Sequence, residues 1–303
     1  MNIIEIEDVT KRFGSVVAVN TLSLNVPKGS IYGFIGPNGS GKTTTIRMIM
    51  KIFYPDGGTI KINGKPHDGR RLNNVGYLPE DRGLYKKMKV HDVLMFHGEL
   101  GGGSDLKNKI AYWLDLLDLS DYASKKVETL SKGMRQKLQF IATVMNEPEL
   151  IILDEPFSGL DPVNAEILRE SILNLQKKGS TIIFSTHDMS MAEKMCDNIF
   201  MIYKGEKVLD GTLNEIQDQY GADTMVVQST GGEAILQGIQ GIEKINNFGK
   251  LQEIRLRPEA NPQQIIGEIL KKTEVQKFEI TKPSLNDIFI RIAAPERKEV
   301  NHA

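Results

Sequence analysis

A glycine-rich run near the N-terminus has the residue types and spacing of a phosphate-binding loop. Residues 36–43 read Gly-Pro-Asn-Gly-Ser-Gly-Lys-Thr and fit the pattern G-x-x-x-x-G-K-[ST]. Backbone N–H groups of such a loop converge on phosphates, Lys42 adds a point charge, and the Thr43 hydroxyl suits Mg²⁺. The alternative, a plain turn before a helix, is disfavoured by the apolar run 31–35 ahead of it. The predicted phosphate contacts are Gly36, Pro37, Asn38, Gly39, Ser40, Gly41, Lys42, Thr43 and Thr44.

Two adjacent carboxylates follow a second apolar run. Leu150 to Leu153 is short and fully apolar, as in a buried parallel strand, and Asp154 and Glu155 come directly after it. The carboxyl edge of an open α/β sheet is where such sheets bind ligands. There Asp154 suits Mg²⁺, and Glu155 suits deprotonation of an attacking water. Taken alone, an acidic helix cap after a core strand explains these residues equally well.

The elements that must position these groups follow from hydrophobic periodicity. Alternation of apolar and acidic residues indicates a half-exposed first strand, and β-branched runs indicate the others. A strand, a glycine-rich loop and a helix in succession are the context that a phosphate-binding loop needs. The pattern therefore predicts an α/β core with a parallel sheet. Predicted strands are 2–9, 16–26, 31–35, 59–62, 150–153 and 181–185, and predicted helices are 43–51 and most of 90–147, interrupted at 101–104.

Composition changes near residue 220, which predicts a domain over 1–220 and an accessory domain over 221–303. In the second part, strand and helix patterns follow in the order β-α-β-β-α-β, typical of a small split βαβ sandwich, and a closing helix comes last. We expect this part to regulate the first or to brace a dimer. Its predicted elements are strands 224–228, 242–246, 251–256 and 275–280, and helices 233–238, 262–271 and 284–292.

Bulk composition excludes several classes of protein. Lys plus Arg is 38 against 39 for Asp plus Glu, so no global field favours nucleic acid. Cys196 is the only cysteine, so the chain forms no internal disulfide, which fits a reducing compartment. No run approaches the roughly 20 apolar residues of a membrane span, and acids interrupt the first apolar stretch, unlike a signal peptide. A role at a membrane therefore requires a partner.

Three further motifs point to a family. Leu-Ser-Lys-Gly-Met-Arg-Gln-Lys over 130–137 opens a predicted helix, Ser-Gly-Leu-Asp over 158–161 continues past the acidic pair, and Ser-Thr-His-Asp over 185–188 follows the strand at 181–185. Together with the phosphate loop, this set and order resemble the ATP-binding-cassette (ABC) ATPases. In that family the three are the signature motif, the D-loop and the switch histidine. The resemblance covers residues 1 to about 215.

The resemblance implies that two copies sandwich two ATP molecules. Ser131 and the Gly133 amide of one copy would cover the triphosphate held by the other, and Asp161 would communicate between the sites. His187 would hydrogen-bond the γ-phosphate and the attacking water, so that Lys42, Glu155 and His187 carry catalysis. A lone histidine is more often structural, but its place after a core strand favours function.

Two expectations depend on single positions. Phe13 matches the position at which the family stacks a ring on adenine, worth roughly 1–3 kcal/mol; a partly buried core phenylalanine is the alternative. Glu80 matches the position at which the ABC family has a glutamine that contacts Mg²⁺ and water. The resemblance therefore implies that Glu80 is a metal ligand together with Thr43 and Asp154. The signature also departs from Leu-Ser-Gly-Gly-Gln, since Lys132 replaces the first glycine and Met134 the glutamine.

The resemblance implies an α/β P-loop NTPase core with a mostly parallel sheet, antiparallel β and helical subdomains, and a small C-terminal α+β domain. The chain would be the ATP-hydrolysing subunit of a transporter, with ATP and Mg²⁺ as cofactors. Its partners would be polytopic membrane permease subunits and a second ATP-binding subunit, with no nucleic acid. A groove from Arg82 to about residue 130 would receive the permease. The subunit would lie on the cytoplasmic face of the cell membrane.

Export is the expected direction, because single-cassette chains with an accessory domain resemble bacterial efflux ATPases for sodium ions, antibiotics or peptides. A second hypothesis is an ABC ATPase that acts on ribosomes or DNA. Ribosome-associated members look like two cassettes in one chain joined by a charged linker, and DNA-repair members carry long coiled coils or zinc motifs. This chain has one cassette and no cysteine pair. A GTPase or small-molecule kinase fails, because the sequence has no Asn-Lys-x-Asp guanine motif.

Overall fold

The computed structural model describes residues 1–66, 74–80, 83–221 and 223–293. It divides into two compact units, Met1–Thr212 and Leu213–Ala303. The division falls ahead of the expected boundary at residue 220, because the helix Leu213–Asp218 bonds to the second unit. Gln217 Nε2 donates to Pro283 O at 2.9 Å, and Lys282 pairs with Asp218. Within the described residues, no helix combines the length and apolarity that crossing a bilayer requires.

The first unit contains the predicted strands and helices and several more. Its strands are β1 (Asn2–Phe13), β2 (Val16–Pro27), β3 (Ile31–Ile35), β4 (Gly57–Ile62), β5 (Lys65–Pro66), β6 (Val75–Leu78), β7 (Leu150–Asp154), β8 (Thr181–Thr186), β9 (Asn198–Tyr203) and β10 (Glu206–Gly211). Its helices are α1 (Lys42–Ile49), α2 (Val90–Leu100), α3 (Leu106–Leu116), α4 (Lys132–Val144), α5 (Pro162–Lys177) and α6 (Met189–Met195), with short 3₁₀ turns at Ser120–Tyr122 and Val127–Thr129.

The central sheet has the strand order β10-β9-β3-β8-β7-β6. All neighbours are parallel except β10, which is antiparallel to β9. Every residue of β3, β7 and β8 is buried, as their continuous apolar runs predict for strands covered on both faces. Because β8 lies between β3 and β7, the loops after these three strands meet at one edge of the sheet. This confirms the predicted mostly parallel α/β core.

A second, antiparallel sheet has the order β2-β1-β4-β5. β1 extends beyond its predicted end to Phe13, since Phe13 pairs with Val16 across a tight turn. Gly14 occupies that turn with φ 58°, a conformation that glycine adopts without strain. The inner side chains of this sheet pack with those of the central sheet in one apolar core, for example Ile4 and Ile6 with Phe34. The hairpin thereby holds Phe13 at a fixed place.

The helical subdomain consists of α2, α3 and α4. Trp113 and Phe140 pack edge to face at its centre, with ring centroids 5.9 Å apart. The predicted break between α2 and α3 packs against the side chain of Asn146. A Cβ at Gly101 would lie 2.2 Å from Asn146 Nδ2, and one at Gly103 would lie 2.1 Å from Asn146 Oδ1. The glycines therefore serve close packing as well as the turn.

The second unit contains the four predicted strands and two of the three predicted helices, and it begins with a helix that was not predicted. Its elements are α7 (Leu213–Asp218), β11 (Thr224–Ser229), β12 (Ile242–Asn247), β13 (Leu251–Leu256), α8 (Pro262–Lys272), β14 (Val275–Thr281) and α9 (Leu285–Ala293). The strands form one antiparallel sheet in the order β12-β13-β11-β14, which confirms the strand order of a split βαβ sandwich. The helix predicted over 233–238 is only the 3₁₀ turn Gly232–Leu236, because glycines flank a segment too short for an α-helix.

Candidate functional site

The phosphate-binding loop follows β3 and leads into α1, as predicted. Gly36 and Gly41 have φ of 153° and 116°, and added side chains would collide with backbone. A Cβ at Gly36 would lie 2.2 Å from Ile202 O, and one at Gly41 would lie 2.7 Å from Ala18 O. No side chain caps the start of α1, and its first turn holds no acid. The N–H groups there are suited to an anion.

Lys42 begins α1 and is buried, with 6% of its surface exposed. Its Nζ donates to Gly36 O at 2.6 Å and to Pro37 O at 3.1 Å. Burial lowers the pKa of Lys42, because the charged form loses water. Three acidic side chains act on this pKa in the opposite direction, namely Glu155, Asp154 and Glu80. An anion placed in the loop would therefore stabilise this ammonium directly.

Asp154 ends β7 beside the loop and is almost fully buried. Its Oδ1 accepts from Ser185 Oγ and lies 3.4 Å from Thr43 Oγ1, whereas its Oδ2 is buried without a hydrogen-bond partner. An orphaned buried carboxylate oxygen beside a hydroxyl is the hard donor set that Mg²⁺ prefers. Within the described residues, no three acidic, histidine or cysteine side chains converge on one metal position. A cation here would therefore take its remaining ligands from phosphate and water.

Glu155 and His187 form a pair at the same sheet edge. His187 Nδ1 lies 2.9 Å from Glu155 Oε1, with His187 largely exposed and Glu155 only 13% exposed. Glu155 has a left-handed backbone, φ 50°, and its N–H donates to Ser185 Oγ at 3.1 Å. A non-glycine residue in this region carries a conformational cost that the surrounding structure must offset. The carboxylate is thereby turned toward the phosphate loop.

A cavity of about 260 Å³ joins these groups. Glu155, Glu80 and most of the predicted phosphate loop line this cavity. Asp154 does not line it but contacts Thr43, which does. His187 likewise contacts Glu155. Ser131, Gly133 and Asp161 do not line the cavity. The lining residues are Ala18, Asn38, Gly39, Ser40, Gly41, Lys42, Thr43, Thr44, Glu80 and Glu155.

Phe13 stands at the end of the β1–β2 hairpin with 45% of its surface exposed. It packs edge to face on Phe53, with ring centroids 5.3 Å apart, and Lys11 Nζ lies 5.5 Å from its ring centroid. Arg47 in turn lies over the ring of Phe53. Phe53 and Lys11 contact part of the ring, and the exposed remainder is available to a stacking partner.

The signature motif forms the start of α4. Ser131 is its N-cap and accepts from Met134 N at 3.2 Å. Lys132, the departure from the family motif, lies against the D-loop of its own chain: a Cβ at Gly159 would be 2.8 Å from Lys132 Cε. Asp161 caps α5 and accepts from Asn164 N at 3.0 Å, which lowers the pKa of its carboxyl. Both Ser131 and Asp161 are exposed.

Two residues of the site were not among the predicted site residues. Ala18 meets the phosphate loop through its carbonyl, and Ser185 orients Asp154 and Glu155 through its hydroxyl. A serine at the end of the strand that precedes His187 could have been noticed, because a buried hydroxyl at a ligand edge needs a partner. The contact of Ala18 is made by backbone, so its residue type carries no information.

A parallel sheet, a loop that wraps phosphate, and two carboxylates beside it define a P-loop nucleoside triphosphatase. The ABC transporter family model matches residues 19–158, and a model for the C-terminal domain of DrrA1-3-like ATP-binding proteins matches residues 211–293. The ABC transporter ATP-binding protein YhaQ of Bacillus subtilis is 42% identical over 287 residues, 94% of this chain and 96% of that protein. The chain belongs to the ATP-binding proteins of ABC transporters.

Two further comparisons agree. Nod factor export ATP-binding protein I of Burkholderia lata is 30% identical over 306 residues, 98% of each chain. A solved ATP-binding subunit of an ABC transporter is 31% identical, covers 72% of this chain and 93% of that chain, and has a TM-score of 0.68. Membership confirms the predicted family, fold and activity: the chain is an ATPase that binds ATP and works with membrane permease subunits.

Proposed function

We propose that two copies of this chain close around two ATP molecules and energise export through separate membrane subunits. The observation that carries this proposal is the incompleteness of the nucleotide cavity. Its lining comes from the phosphate loop, Glu80 and Glu155, whereas Ser131 and Asp161 are exposed elsewhere on the surface. A second copy, related by a two-fold axis, would supply those groups to each site.

Within each site, the phosphate loop and Lys42 would hold the triphosphate, and Thr43, Asp154 and Glu80 would hold Mg²⁺. The ion would neutralise charge on the β- and γ-phosphates. Glu155 would accept a proton from the attacking water, with His187 orienting its carboxylate through the 2.9 Å contact. Phe13 would stack on adenine. Closure of the two copies would then follow ATP binding, and reopening would follow hydrolysis.

The permease would dock at a groove beside the helical subdomain. A cavity of about 760 Å³ opens between β6 and helices α2 and α4, with Tyr77, Leu100 and Asn146 in its walls. Gln139 and Asn146 bring polar side chains to these walls, and Leu100 brings an exposed apolar one. A mixed polar and apolar lining suits the surface of a protein partner. Arg82, which begins the stretch expected to dock the permease, lies outside the described residues.

Export and position at the membrane rest on likeness. A relative that spans 98% of this chain is named for Nod factor export, and efflux ATPases share the layout of a cassette followed by an accessory domain. The subunit would sit on the cytoplasmic face of the membrane, held there by its permease. Candidate substrates are sodium ions, antibiotics or peptides, all of which would contact the permease and not this chain.

Affinity purification of the tagged chain from detergent-solubilised membranes tests the proposal. A polytopic membrane protein should co-purify, and Leu100→Glu should reduce its recovery because Leu100 is an exposed apolar residue of the groove. Leu270→Glu is the matched control, since Leu270 is similarly exposed but lies in α8. Recovery of nucleic acid or ribosomes with no membrane protein would reject the transport function and favour an ATPase that acts on those partners.

A further inference from the structure

Helix α4 buries a lysine that the proposed reaction does not use. Lys137 is only 4% exposed, and its Nζ donates to Asn164 Oδ1 at 2.7 Å. Its hydrogen-bond partner is thus a neutral amide, while the carboxylates of Asp118 and Asp161 act on it through the field alone. Burial lowers the pKa of Lys137. A buried ammonium with a neutral partner costs desolvation energy that such a contact only partly offsets.

Asn164 links Lys137 to Asp161 of the D-loop through hydrogen bonds. Its backbone N–H donates to Asp161 Oδ1 at 3.0 Å, and its Nδ2 donates to Asp161 Oδ2. The amide orientation is unambiguous, because the ammonium can only donate and the carboxylate can only accept. Asn164 is therefore fixed at both ends. The chain Lys137–Asn164–Asp161 joins the interior of α4 to an exposed carboxylate.

A second contact holds the other end of the same loop. The Lys132 side chain lies over Gly159, and Leu160 Cδ2 would be 3.5 Å from a Cβ at Gly133. Gly159 has φ 76° and leaves the space that Lys132 occupies. Helix α4 thus grips residues 158–161 near Gly159 and again near Asp161.

We propose that Lys137 is a positioning residue that, through Asn164, fixes Asp161 relative to Ser131 so that both face the second subunit together. This inference rests on the proposed function, in which Ser131 and Asp161 act on the nucleotide of the other copy. Lys137 touches no nucleotide itself. Its contribution is geometric, because two groups that must meet a partner surface at once lose less conformational freedom when they are held together.

The replacement of a buried charge by an apolar side chain separates positioning from stability. Lys137→Met keeps the length of the side chain and removes the cost of burying the charge, but it also leaves Asn164 Oδ1 without its donor. Because these two effects oppose each other, we expect only a small change in Tm. We also expect kcat for ATP hydrolysis to fall by on the order of tenfold, with unchanged affinity of the isolated subunit for a fluorescent ATP analogue. In a Glu155→Gln background, the fraction of ATP-dependent dimer in size-exclusion chromatography should fall.

Companion variants keep the test decisive. Lys137→Arg retains a charged donor and should restore most of kcat, while Asn164→Leu breaks the same chain and should not add to the effect of Lys137→Met. Asn164→Leu also carries the prediction if Lys137→Met does not fold. Lys177→Met, an exposed lysine of α5, is the matched control and should leave kcat unchanged.

Two results would overturn the inference. One is a wild-type kcat and dimer fraction in both Lys137→Met and Asn164→Leu; the other is an arginine variant as impaired as the methionine variant. Ser131→Asp in the Glu155→Gln background shows whether a negative result contradicts this inference alone or the proposed function as well. A dimer insensitive to Ser131→Asp rejects the proposed function itself. A dimer that responds to Ser131→Asp but to neither Lys137→Met nor Asn164→Leu rejects this inference alone.

Discussion

Glu155 shares its backbone conformation with a surface glutamate, which makes the two residues a natural comparison. Glu147 and Glu155 both have φ 50°, a left-handed conformation that is uncommon for residues other than glycine. Glu147 pairs with Lys178 on the surface, whereas Glu155 pairs with His187 and lines the nucleotide cavity. The backbone strain is thus common to both, and the catalytic assignment of Glu155 rests on its surroundings.

Glu155→Gln should bind ATP normally but hydrolyse it roughly 10²–10⁴-fold more slowly, because an amide cannot accept the proton of the attacking water. Single-turnover hydrolysis and equilibrium binding of ATP separate the two effects. Glu147→Gln makes the same chemical change at the same φ away from the cavity and should turn over at the wild-type rate. A Glu155→Gln variant as fast as wild type would remove Glu155 from its role as general base.

For the candidate site, the sequence predicted which residues lie together better than it predicted the contacts between them. Lys42, Asp154, Glu155 and His187 all lie at the predicted sheet edge, because each directly follows or begins a recognisable element. The pairing of His187 Nδ1 with Glu155 Oε1 was not predicted. It depends on β7 and β8 being neighbours, and residue spacing along the chain carries no information on which parallel strands lie side by side.

The hydroxyl of Ser131 caps helix α4, a structural task that is separate from its proposed contact with ATP. Ser131 satisfies a free N–H of the first turn by accepting from Met134 N. Removal of the hydroxyl therefore lowers stability whether or not it contacts ATP. An alanine variant alone cannot separate the two tasks.

Ser131→Asp separates them, because aspartate is an equally good N-cap but adds negative charge. We expect its Tm to match wild type, whereas Ser131→Ala should lose about 1 kcal/mol of unfolding free energy. ATPase activity should be abolished in Ser131→Asp, since its carboxylate would face the triphosphate of the second copy. Chemical denaturation and steady-state ATPase assays measure both. Full activity of Ser131→Asp would exclude a contact between Ser131 and the triphosphate.

Helix α2 should make the subunit sensitive to acid through His97. Burial lowers the pKa of His97 below its ordinary value, so between the two values the unfolded chain binds a proton that the folded chain does not. The associated stability is present above the ordinary pKa, about 6.5, and is lost as the pH falls below it. His97→Gln should therefore show a smaller drop in Tm from pH 7 to pH 5. His91→Gln, an exposed histidine of the same helix, controls for the substitution, and equal drops in wild type and His97→Gln would contradict the prediction.

Elements were predictable where one residue pattern decided them. The buried runs of β3, β7 and β8 and the alternation of β1 match their predictions, because burial on two faces or on one face leaves a distinct pattern. Helix α5 was not predicted, although Asp161 followed by Pro162 is a clear start signal. The 3₁₀ turn at Gly232–Leu236 shows the opposite error, since apolar residues suggested a helix that flanking glycines shorten.

For the whole molecule, the motifs predicted two parts but not the order of strands within them. β3 lies next to β8 and β9, which come more than a hundred residues later in the chain. Helix α7 belongs to the second unit through contacts such as Gln217 with Pro283. Both facts arise from packing between distant segments, which periodicity within a short window does not report. The cassette motifs identified the family through their order along the chain, which can be read without knowing the strand order.

The proposed dimer can be tested with two variants that should each be inactive. Lys42→Ala removes the charge proposed to hold the triphosphate, and Ser131→Asp should repel the triphosphate of the other copy. In a mixed dimer, the loop of the Ser131→Asp chain meets the intact Ser131 of the Lys42→Ala chain, so one site is whole and the other carries both defects. Random mixing makes about half of the dimers mixed, and one whole site in each gives at most about a quarter of wild-type activity.

Mixing the two purified variants should therefore restore ATP hydrolysis that neither shows alone. The restored rate should depend on the ratio of the two chains and be greatest near equal amounts. Lys42→Ala mixed with a chain that carries both substitutions is the matched control, because every pairing then lacks a whole site. If the first mixture gave only the sum of its components, each chain would complete its own site, and the exposed positions of Ser131 and Asp161 would need another explanation.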